Sequence, residues 1–364
     1  DVFCSTEEGI KGKRAQEWGL VDEVIANSTF EETVTSRARE FASSSKKTDV
    51  KQGIKLGPLT KSIADDGSLS YTTVQVILNR TARTATITLT GPDKAAPLDI
   101  ANFEAQGDQA YLLRMARELD DAILHLRLNE TEVGLWIFRT EGDPQILAAH
   151  ENFLMRNIDN WLANEVRQYL KRILKRIDVT SRSMVALIEH GSCFNGFFAE
   201  LLFAVDRSYM MEDEFENDPR PIATITLTDD NFGTYRMANG LSRIETRFWG
   251  TPNFVAAAKK KIGEPLEAAV ADDLGLVTVI LDDIDWEDEI RIFIEERASF
   301  SPDAMTGMEA NLRFVGPETM ETRIFGRLTA WQNWIFIRPN AVGPDGALQR
   351  YGSGKRGNYN MDRV

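Results

Sequence analysis

Apolar and polar positions alternate with two different periods along this chain, and the change of period predicts strands and helices in turn. Period-two alternation predicts strands over residues 73–78 and 84–90, which the polar turn at residues 79–82 joins as a hairpin. Apolar residues at helical spacing then predict a helix over residues 109–127. The alternation of strand and helix that follows is typical of an α/β fold with crossover connections.

Shorter apolar runs and longer amphipathic segments extend this pattern toward the C-terminus. The further predicted strands lie at residues 132–138, 184–188 and 223–227, and the further predicted helices over residues 151–176, 196–205, 264–273 and 304–334. Because the pattern becomes mainly helical after residue 264, we expect the α/β part to be followed by a helical extension.

One phrase occurs twice, and it determines the predicted domain organisation. Residues 15–25 read AQEWGLVDEVI and residues 271–280 read ADDLGLVTVI. Each copy predicts a helix that ends at Gly19 or Gly275 and is followed at once by a β-branched strand. The first copy has too little sequence before it for the fold that such a phrase closes, whereas the second follows a whole domain's worth of chain.

We therefore expect a fragment of a longer protein that begins inside one domain and continues with a complete, related domain. The predicted divisions are a C-terminal remnant of a first domain, a polar linker, a second domain and the helical extension, over residues 1–45, 46–72, 73–295 and 296–364. In the remnant, Ser5 to Glu8 predict a capping box, and residues 30–41 predict an amphipathic helix.

Composition narrows the class of protein. Of the 364 residues, 43% are hydrophobic and 27% charged, which is typical of a soluble globular protein. A net charge of −14 argues against nucleic-acid binding, and no apolar run is long enough to span a membrane. Two cysteines, Cys4 and Cys193, favour a reducing compartment, so we expect a cytoplasmic protein. The three histidines lack zinc-site spacing, so we expect no metal.

Three segments carry a resemblance to a known family. Residues 185–191 read VALIEHG, residues 196–206 read GFFAELLFAVD and residues 238–244 read ANGLSRI. In this order, with residues 271–280 behind them, they are similar to the crotonase (enoyl-CoA hydratase) superfamily. That family has a strand, a Gly-rich helix start carrying a Glu, and a later Gly-Gly-Thr-x-Arg-Leu turn. The resemblance implies a crotonase-like ββα superhelix.

A narrower resemblance concerns residues 239–248, which read NGLSRIETRF, together with the C-terminal extension. These features resemble a branch of the superfamily that opens an oxidised ring of benzoyl-CoA. The resemblance implies a lyase that converts the epoxide or dihydrodiol of benzoyl-CoA to an unsaturated semialdehyde acyl-CoA and formate. It also implies an acyl-CoA as substrate, no cofactor, and a homodimer.

The superfamily stabilises the enolate of a CoA thioester with two backbone N–H groups and moves protons with carboxylates. By resemblance, Phe197 and Ala149 occupy the positions of these two N–H groups. Glu200 matches the first carboxylate, and Asp229, or its neighbour Asp230, falls near the second. These residues are the candidate site of the second domain.

A silent site is the favoured alternative for this domain. Phe197 and Phe198 replace two glycines of the family motif, and we expect their rings to crowd a thioester. The turn before Glu200 is also one residue longer than usual. On this hypothesis the main catalytic groups lie upstream of Asp1, and the domain serves assembly. A generic enoyl-CoA hydratase or isomerase is the other alternative.

Other chemically notable residues are interpreted as structural. His150 replaces the Asp of the family's second oxyanion loop and is a candidate base, and His190 stands at a strand end, but a lone His at such a position is more often structural. Cys193 is expected to be a buried, inert thiol. Basic clusters at residues 171–176 and 259–261 are candidate contacts for the CoA phosphates, although such clusters are usually solvated helix faces.

Overall fold

The computed structural model describes residues 7–45, 53–212 and 219–362. The chain divides into two compact units, of which unit 1 is Asp1–Ile54 and unit 2 is Lys55–Val364. The boundary between the units falls within residues 46–72, the segment predicted to be the linker. The later part of that segment belongs to unit 2, where it contributes two short strands.

Unit 1 consists of α1 (Gly12–Glu17), a 3-10 turn (Asn27–Thr29) and α2 (Phe30–Ser44). The predicted helix over residues 30–41 is confirmed by α2. The strand expected directly after Gly19 is wrong, because no neighbouring strand pairs with it in the described part of unit 1 and its backbone is irregular. Part of the predicted capping box lies outside the described residues.

Unit 2 is built on an eight-stranded sheet in the order β1-β2-β3-β4-β5-β6-β8-β11 and a three-stranded sheet in the order β10-β9-β7. The strands are β1 (Ser62–Ile63), β2 (Leu69–Ser70), β3 (Val74–Asn79), β4 (Thr84–Thr90), β5 (Leu135–Glu141), β6 (Ser183–Ile188), β7 (Phe194–Asn195), β8 (Arg207–Met211), β9 (Ile225–Thr226), β10 (Pro265–Leu266) and β11 (Val279–Leu281). The strands from β4 to β11 in the large sheet run parallel to one another.

The predicted hairpin is confirmed by β3 and β4, which pair antiparallel from Val74 opposite Leu89 to Asn79 opposite Thr84. In β3, buried and exposed residues alternate strictly, as expected for a strand with one face on the core. Every residue of β6 is buried, as expected for a parallel strand covered on both faces.

Helices cover the sheet and form the C-terminal part of unit 2. They are α3 (Ile100–Gln106), α4 (Tyr111–Asn129), α5 (Pro144–Arg156), α6 (Trp161–Asp178), α7 (Phe197–Ala204), α8 (Arg243–Arg247), α9 (Pro252–Lys259), α10 (Ala268–Asp273), α11 (Asp283–Ala298), α12 (Pro302–Leu312), α13 (Thr329–Ile335), α14 (Pro339–Val342) and α15 (Ala347–Arg350). A π-helical segment (Thr322–Leu328) leads into α13.

Two long predicted helices are wrong because local signals divide them. The helix expected over residues 151–176 is α5 followed by α6, since the Asn160 side chain accepts the Leu162 N–H at 2.9 Å and caps a new helix. The helix expected over residues 304–334 stops at the end of α12 and resumes only in the π-helical segment.

Helix α11 covers one face of the parallel strands. Its Trp286, Ile290 and Phe293 form a buried cluster with the side chains that β5, β6 and β8 present on that face: Leu135, Ile137, Val185, Leu187 and Tyr209. Helix α7 also contacts β6. In the described parts of the chain, no helix is long and apolar enough to cross a membrane.

Candidate functional site

The start of α7 carries the first candidate oxyanion group. Gly196, directly before the helix, has φ +52, a conformation that favours glycine, and it turns the chain from β7 into α7. The rings of Phe197 and Phe198 are fully buried, and that of Phe197 meets the ring of Tyr235 edge-on at 5.7 Å. Both rings lie in the core, and the expectation that they crowd a thioester remains a prediction.

The backbone N–H of Phe197 is occupied by the chain itself. It donates to Oε1 of Glu151, in α5, at 2.7 Å. A Cβ atom on Gly196 would stand 1.7 Å from Oε2 of the same carboxyl, so glycine is required at this position. The acceptor position in front of α7 is therefore filled by a side chain.

The Glu151 carboxyl is buried, and the charged side chains that shift its pKa among the described residues are both acidic. Burial raises its pKa well above the usual range, with nearby Asp230 and Glu200 acting in the same direction, while the Phe197 N–H opposes them. Its Oε2 is buried and accepts no hydrogen bond from the residues that the structure describes. This environment favours the neutral acid, whose carbonyl oxygen accepts from Phe197 as a bound thioester carbonyl would accept from an oxyanion N–H.

Glu200 lies one turn into α7 and is held on both oxygens. Its Oε2 accepts from Nη1 of Arg243 at 2.9 Å, and its Oε1 accepts from Nδ2 of Asn231 at 2.9 Å. Arg243 also donates to both oxygens of Asp178, at 3.0 and 2.6 Å, from a side chain that is 1% exposed. Glu200 thus belongs to a closed network of buried charges.

Within this network the protonation of Glu200 is finely balanced. Burial raises its pKa to about 7, although the Arg243 cation and the Asn231 hydrogen bond pull in the opposite direction. Burial is the main cause of the raised pKa values of both Asp178 and Glu200, and the guanidinium that they share opposes the rise in each. This network links the start of α8 to α7, and Asp178 and Arg243 also line an open pocket of about 400 Å³ whose lining does not include Glu200.

Asp229 lies in contrasting surroundings, at the start of a 3-10 turn (Asp229–Phe232). It is exposed and lines an open pocket of about 480 Å³. Besides Asp229 and Asp230, the pocket is lined by five polar residues: Gln145, Asn152, Asn195, Thr226 and Thr228. Its other lining residues are Pro144, Ala148, Met155, Leu227, Ile262, Gly263 and Pro265. Neither Glu200 nor Phe197 belongs to this lining.

The structure links the two candidate carboxylates only indirectly. Asn231, two residues after Asp229, donates to Glu200, so one short turn contacts the network while its first residue faces the pocket. Asp230 is buried, lines the same pocket, and accepts from Oγ1 of Thr234 at 2.7 Å. The catalytic roles expected for Glu200 and Asp229 remain predictions.

The second candidate oxyanion position lies inside a helix. Ala149 is in the second turn of α5, where a backbone N–H donates to the carbonyl four residues earlier. Its neighbour His150 is buried, and its Nε2 lies 2.9 Å from the carbonyl oxygen of Lys94. Burial lowers the pKa of His150, so the neutral ring is favoured. The oxyanion role of Ala149 also remains a prediction.

The surroundings of the remaining candidate residues fit structural roles. His190 is buried. Cys193 is buried too, and burial raises the pKa of its thiol to about 12, which disfavours the reactive thiolate. In the basic clusters, Arg176 lies 2.8 Å from Asp120, and Lys261 forms an ion pair on its own turn. Among the described residues, no group of three His, Cys, Asp or Glu side chains is arranged to hold a metal ion.

Sequence reasoning missed the residues that close the site. In the sequence pattern, Glu151 was assigned no role beyond following the oxyanion segment, and Arg243 was assigned none beyond belonging to a turn motif. The sequence does contain a signal for Arg243. This arginine is flanked by Leu241 and Ser242 on one side and by Ile244 on the other, and an arginine that is buried at a helix start needs an anionic partner. No comparable signal marks Glu151, whose partner lies 46 positions away in the sequence.

Comparison with known proteins gives one close relative and many structural neighbours. No protein-family profile matches the chain. Over 365 aligned residues the chain is 49% identical to benzoyl-CoA-dihydrodiol lyase of Aromatoleum evansii. The match covers 100% of this chain and 64% of the relative, so the chain spans less than two thirds of that protein's length.

Several of the structural neighbours are enoyl-CoA hydratases. That of Geobacillus kaustophilus superposes with a TM-score of 0.57 at 17% identity, covering 81% of this chain and 98% of the other. That of Bacillus anthracis gives a TM-score of 0.54 at 15% identity, covering 80% and 100%. The predicted α/β fold is confirmed: this chain has the crotonase fold and is similar throughout its length to benzoyl-CoA-dihydrodiol lyase.

Proposed function

We propose that this chain is part of a CoA-thioester lyase that opens the ring of the epoxide or dihydrodiol of benzoyl-CoA. The products would be an unsaturated semialdehyde acyl-CoA and formate. The observation that carries this proposal is the 49% identity to benzoyl-CoA-dihydrodiol lyase along the whole chain. The crotonase fold supports it, because solved enoyl-CoA hydratases share that fold.

The proposal includes the surroundings in which the enzyme works. Its partner is an acyl-CoA, and the reaction uses water and protein groups without a metal or redox cofactor. We expect a homodimer in the cytoplasm. These expectations follow from the sequence resemblance and from the small number of cysteines.

A second role is proposed for the α7 site itself, namely assembly without chemistry. Two observations favour it. Glu151 occupies the acceptor position at the Phe197 N–H, and Arg243 and Asn231 hold both oxygens of Glu200. A carboxylate with both oxygens engaged and buried cannot approach a substrate without breaking these bonds. On this proposal the groups that carry the reaction lie outside this chain.

Product analysis tests the proposed activity. The purified full-length enzyme that contains this chain is incubated with the 2,3-epoxide of benzoyl-CoA, and formate and acyl-CoA products are followed by mass spectrometry. The proposal predicts equal amounts of formate and of an acyl-CoA one carbon shorter than the substrate. Crotonyl-CoA serves as control: hydration of crotonyl-CoA without formate release from the epoxide would support a generic hydratase instead.

Matched amide variants test the role of the α7 site. Glu200→Gln keeps the size of the side chain and can still accept from Arg243, so turnover in the formate assay should change less than about threefold. Asp229→Asn is the comparison, since its side chain faces the pocket. A loss of a hundredfold or more in Glu200→Gln, with an unchanged melting temperature, would contradict the silent role.

A further inference from the structure

A cavity of about 780 Å³ lies in the C-terminal part of unit 2, and none of its lining residues belongs to the candidate site. Its walls come from α11, from α12 and from residues 347–359, which comprise α15 and the chain that follows it. We call it the tail cavity. Cavities of this size commonly hold a small-molecule ligand, so the chemistry of its walls deserves a separate account.

The chain after α15 is a fixed wall of the tail cavity. The N–H of Asn360 donates to Oδ1 of Asn340 at 2.8 Å, and Nδ2 of Asn340 donates back to the carbonyl oxygen of Asn360 at 2.9 Å. Two residues later, Asp362 accepts from Oγ1 of Thr131 at 3.0 Å. These bonds hold the end of the wall against the rest of unit 2.

The two helices supply apolar surface to the tail cavity. Ile292 of α11 and Met305 and Met308 of α12 line it, together with Phe300 from the connection between the helices. Tyr359 adds a further ring from the opposite wall. Methionine side chains adapt to irregular apolar shapes and make favourable contacts with rings. This side of the cavity suits the apolar body of a ligand.

The chain after α12 supplies positive charge. Arg350, Lys355 and Arg356 all line the cavity. Arg350 is paired with Asp345, but its Nε is buried and donates to none of the described residues. No carboxylate in the described part of the chain lies within ion-pair distance of Lys355 or Arg356. Two cations at the cavity therefore lack a counter-charge from the protein.

Two carboxylates of α11 also line the cavity, and they limit the charge that it can accept. Glu295 is paired with Arg291 at 3.1 Å, whereas Glu296 has no ion pair among the residues that the structure describes. The unpaired groups of the lining are thus Lys355 and Arg356 against Glu296. Their sum is one surplus positive charge, which matches a ligand with one negative charge better than a polyphosphate.

We propose that the tail cavity binds a monocarboxylate with an apolar body. The carboxylate is held by Lys355 and Arg356, because the forked donors of an arginine match the two oxygens of a carboxylate. The body lies on the apolar side chains of α11 and α12. This inference does not rest on the proposed ring opening, since it concerns binding at residues outside the candidate site.

Labelling of individual lysines tests the binding. The full-length enzyme that contains this chain is treated with acetic anhydride at increasing concentrations of 2-naphthoate, and acetylation of each lysine is measured by mass spectrometry. At saturation, Lys355 should react about tenfold more slowly, because the bound carboxylate covers it. Lys259, an exposed lysine of α9, is the internal control and should react at the same rate throughout.

Ligands of the same shape but different charge test the role of the carboxylate. 2-Naphthamide has no charge, and 2-naphthylmethylamine carries a positive charge at neutral pH. Each should need at least about a tenfold higher concentration than 2-naphthoate to protect Lys355, because neither can form a charge-assisted bond with the two cations.

Matched substitutions locate the ligand. Arg356→Gln should weaken protection of Lys355 by 2-naphthoate about tenfold. Arg323→Gln removes the same charge from an arginine outside the lining, so protection should be unchanged. Ala304→Phe places a ring in the cavity from an exposed position of α12 and should abolish protection. Unchanged melting temperatures show that the variants are folded.

Four results would overturn the proposal. One is a rate of Lys355 acetylation that millimolar 2-naphthoate does not change. Another is equal protection by the amide or the amine, which would mean that the carboxylate is not recognised. Equal effects of the Arg356 and Arg323 substitutions, or full protection in Ala304→Phe, would mean that the ligand lies elsewhere.

Discussion

Glu200 and Asp229 are the two carboxylates that the sequence placed in one site, and unit 2 holds them in opposite ways. Glu200 is 1% exposed and bonded on both oxygens by Arg243 and Asn231. Asp229 is exposed at the rim of an open pocket. The difference teaches that a match to a catalytic motif identifies a position in the fold, while the partners of the side chain decide whether it can act.

The largest effect on stability is expected from removing the Arg243 cation from the buried network around Glu200. Arg243→Met should lower the free energy of unfolding by about 3–5 kcal/mol, because Asp178 and Glu200 would remain buried without a counter-charge. Urea unfolding of the chain measures this. Asp229→Asn is the matched change in the open region and should cost less than about 0.5 kcal/mol. Equal losses of unfolding free energy in Arg243→Met and Asp229→Asn would contradict the distinction between the buried Glu200 network and the open surroundings of Asp229.

A double-mutant cycle tests the closure of the Phe197 N–H by Glu151. Gly196→Ala should cost about 3 kcal/mol, because the backbone has φ +52 and the new Cβ would collide with the Glu151 carboxyl. In the Glu151→Ala background the collision is absent, so the cost should fall by about 1 kcal/mol or more.

Gly240→Ala is the control for this cycle. Gly240 also has a positive φ, +85, but nothing lies within 4 Å of its Cβ position. Its cost should therefore be the same with and without Glu151. Additive costs at Gly196 as well would mean that the carboxyl does not stand where the structure places it.

A smaller effect is expected from pH. The folded-state pKa of Glu200 is about 7, against 4.5 for an ordinary glutamate, so the folded protein binds a proton that the unfolded chain has released. The stability that this proton contributes is present below pH 4.5 and is lost as the pH rises through 7. Between pH 5 and 7 the loss should be on the order of 2 kcal/mol.

The measurement is the free energy of unfolding at several pH values for the unaltered chain and for Glu200→Gln. The amide cannot titrate, so the variant should show a flatter dependence on pH over this range. Parallel curves would contradict the raised pKa of Glu200 and with it the closed character of its surroundings.

Local patterns predicted much of the fold because each element carried its own signal. The alternation in β3 and β4 and the apolar face of α4 placed these elements within about two residues of their observed bounds. Asn160 shows where such signals compete: apolar spacing continues across it, but its side chain starts a new helix. Caps of this kind are easily missed when periodicity alone is followed.

Elements that depend on distant partners could not be predicted from the sequence. The phrase after Gly275 forms β11 because β8 lies beside it, with Val279 opposite Tyr209. The same phrase after Gly19 stays irregular in unit 1. The helix end needs only its own residues, whereas the strand needs a neighbour, and the sequence does not say which copy has one.

In the candidate site, too, local features could be predicted from the sequence, whereas contacts between distant residues could not. The motif correctly placed Phe197 at a helix start and Glu200 within that helix. It could not reveal that Glu151, from α5, meets the Phe197 N–H. That contact depends on how two helices pack, and a different packing would leave the N–H group open to a ligand.

Infrared difference spectroscopy at neutral pH tests the central claim most directly, namely that the acceptor position in front of α7 is filled by a neutral Glu151. The spectra of the unaltered chain and of Glu151→Gln are compared in the region of the protonated carboxyl C=O stretch. The account predicts a band from a buried, protonated carboxylic acid that disappears in the variant. Identical spectra in that region, or a lost carboxylate band in its place, would contradict it.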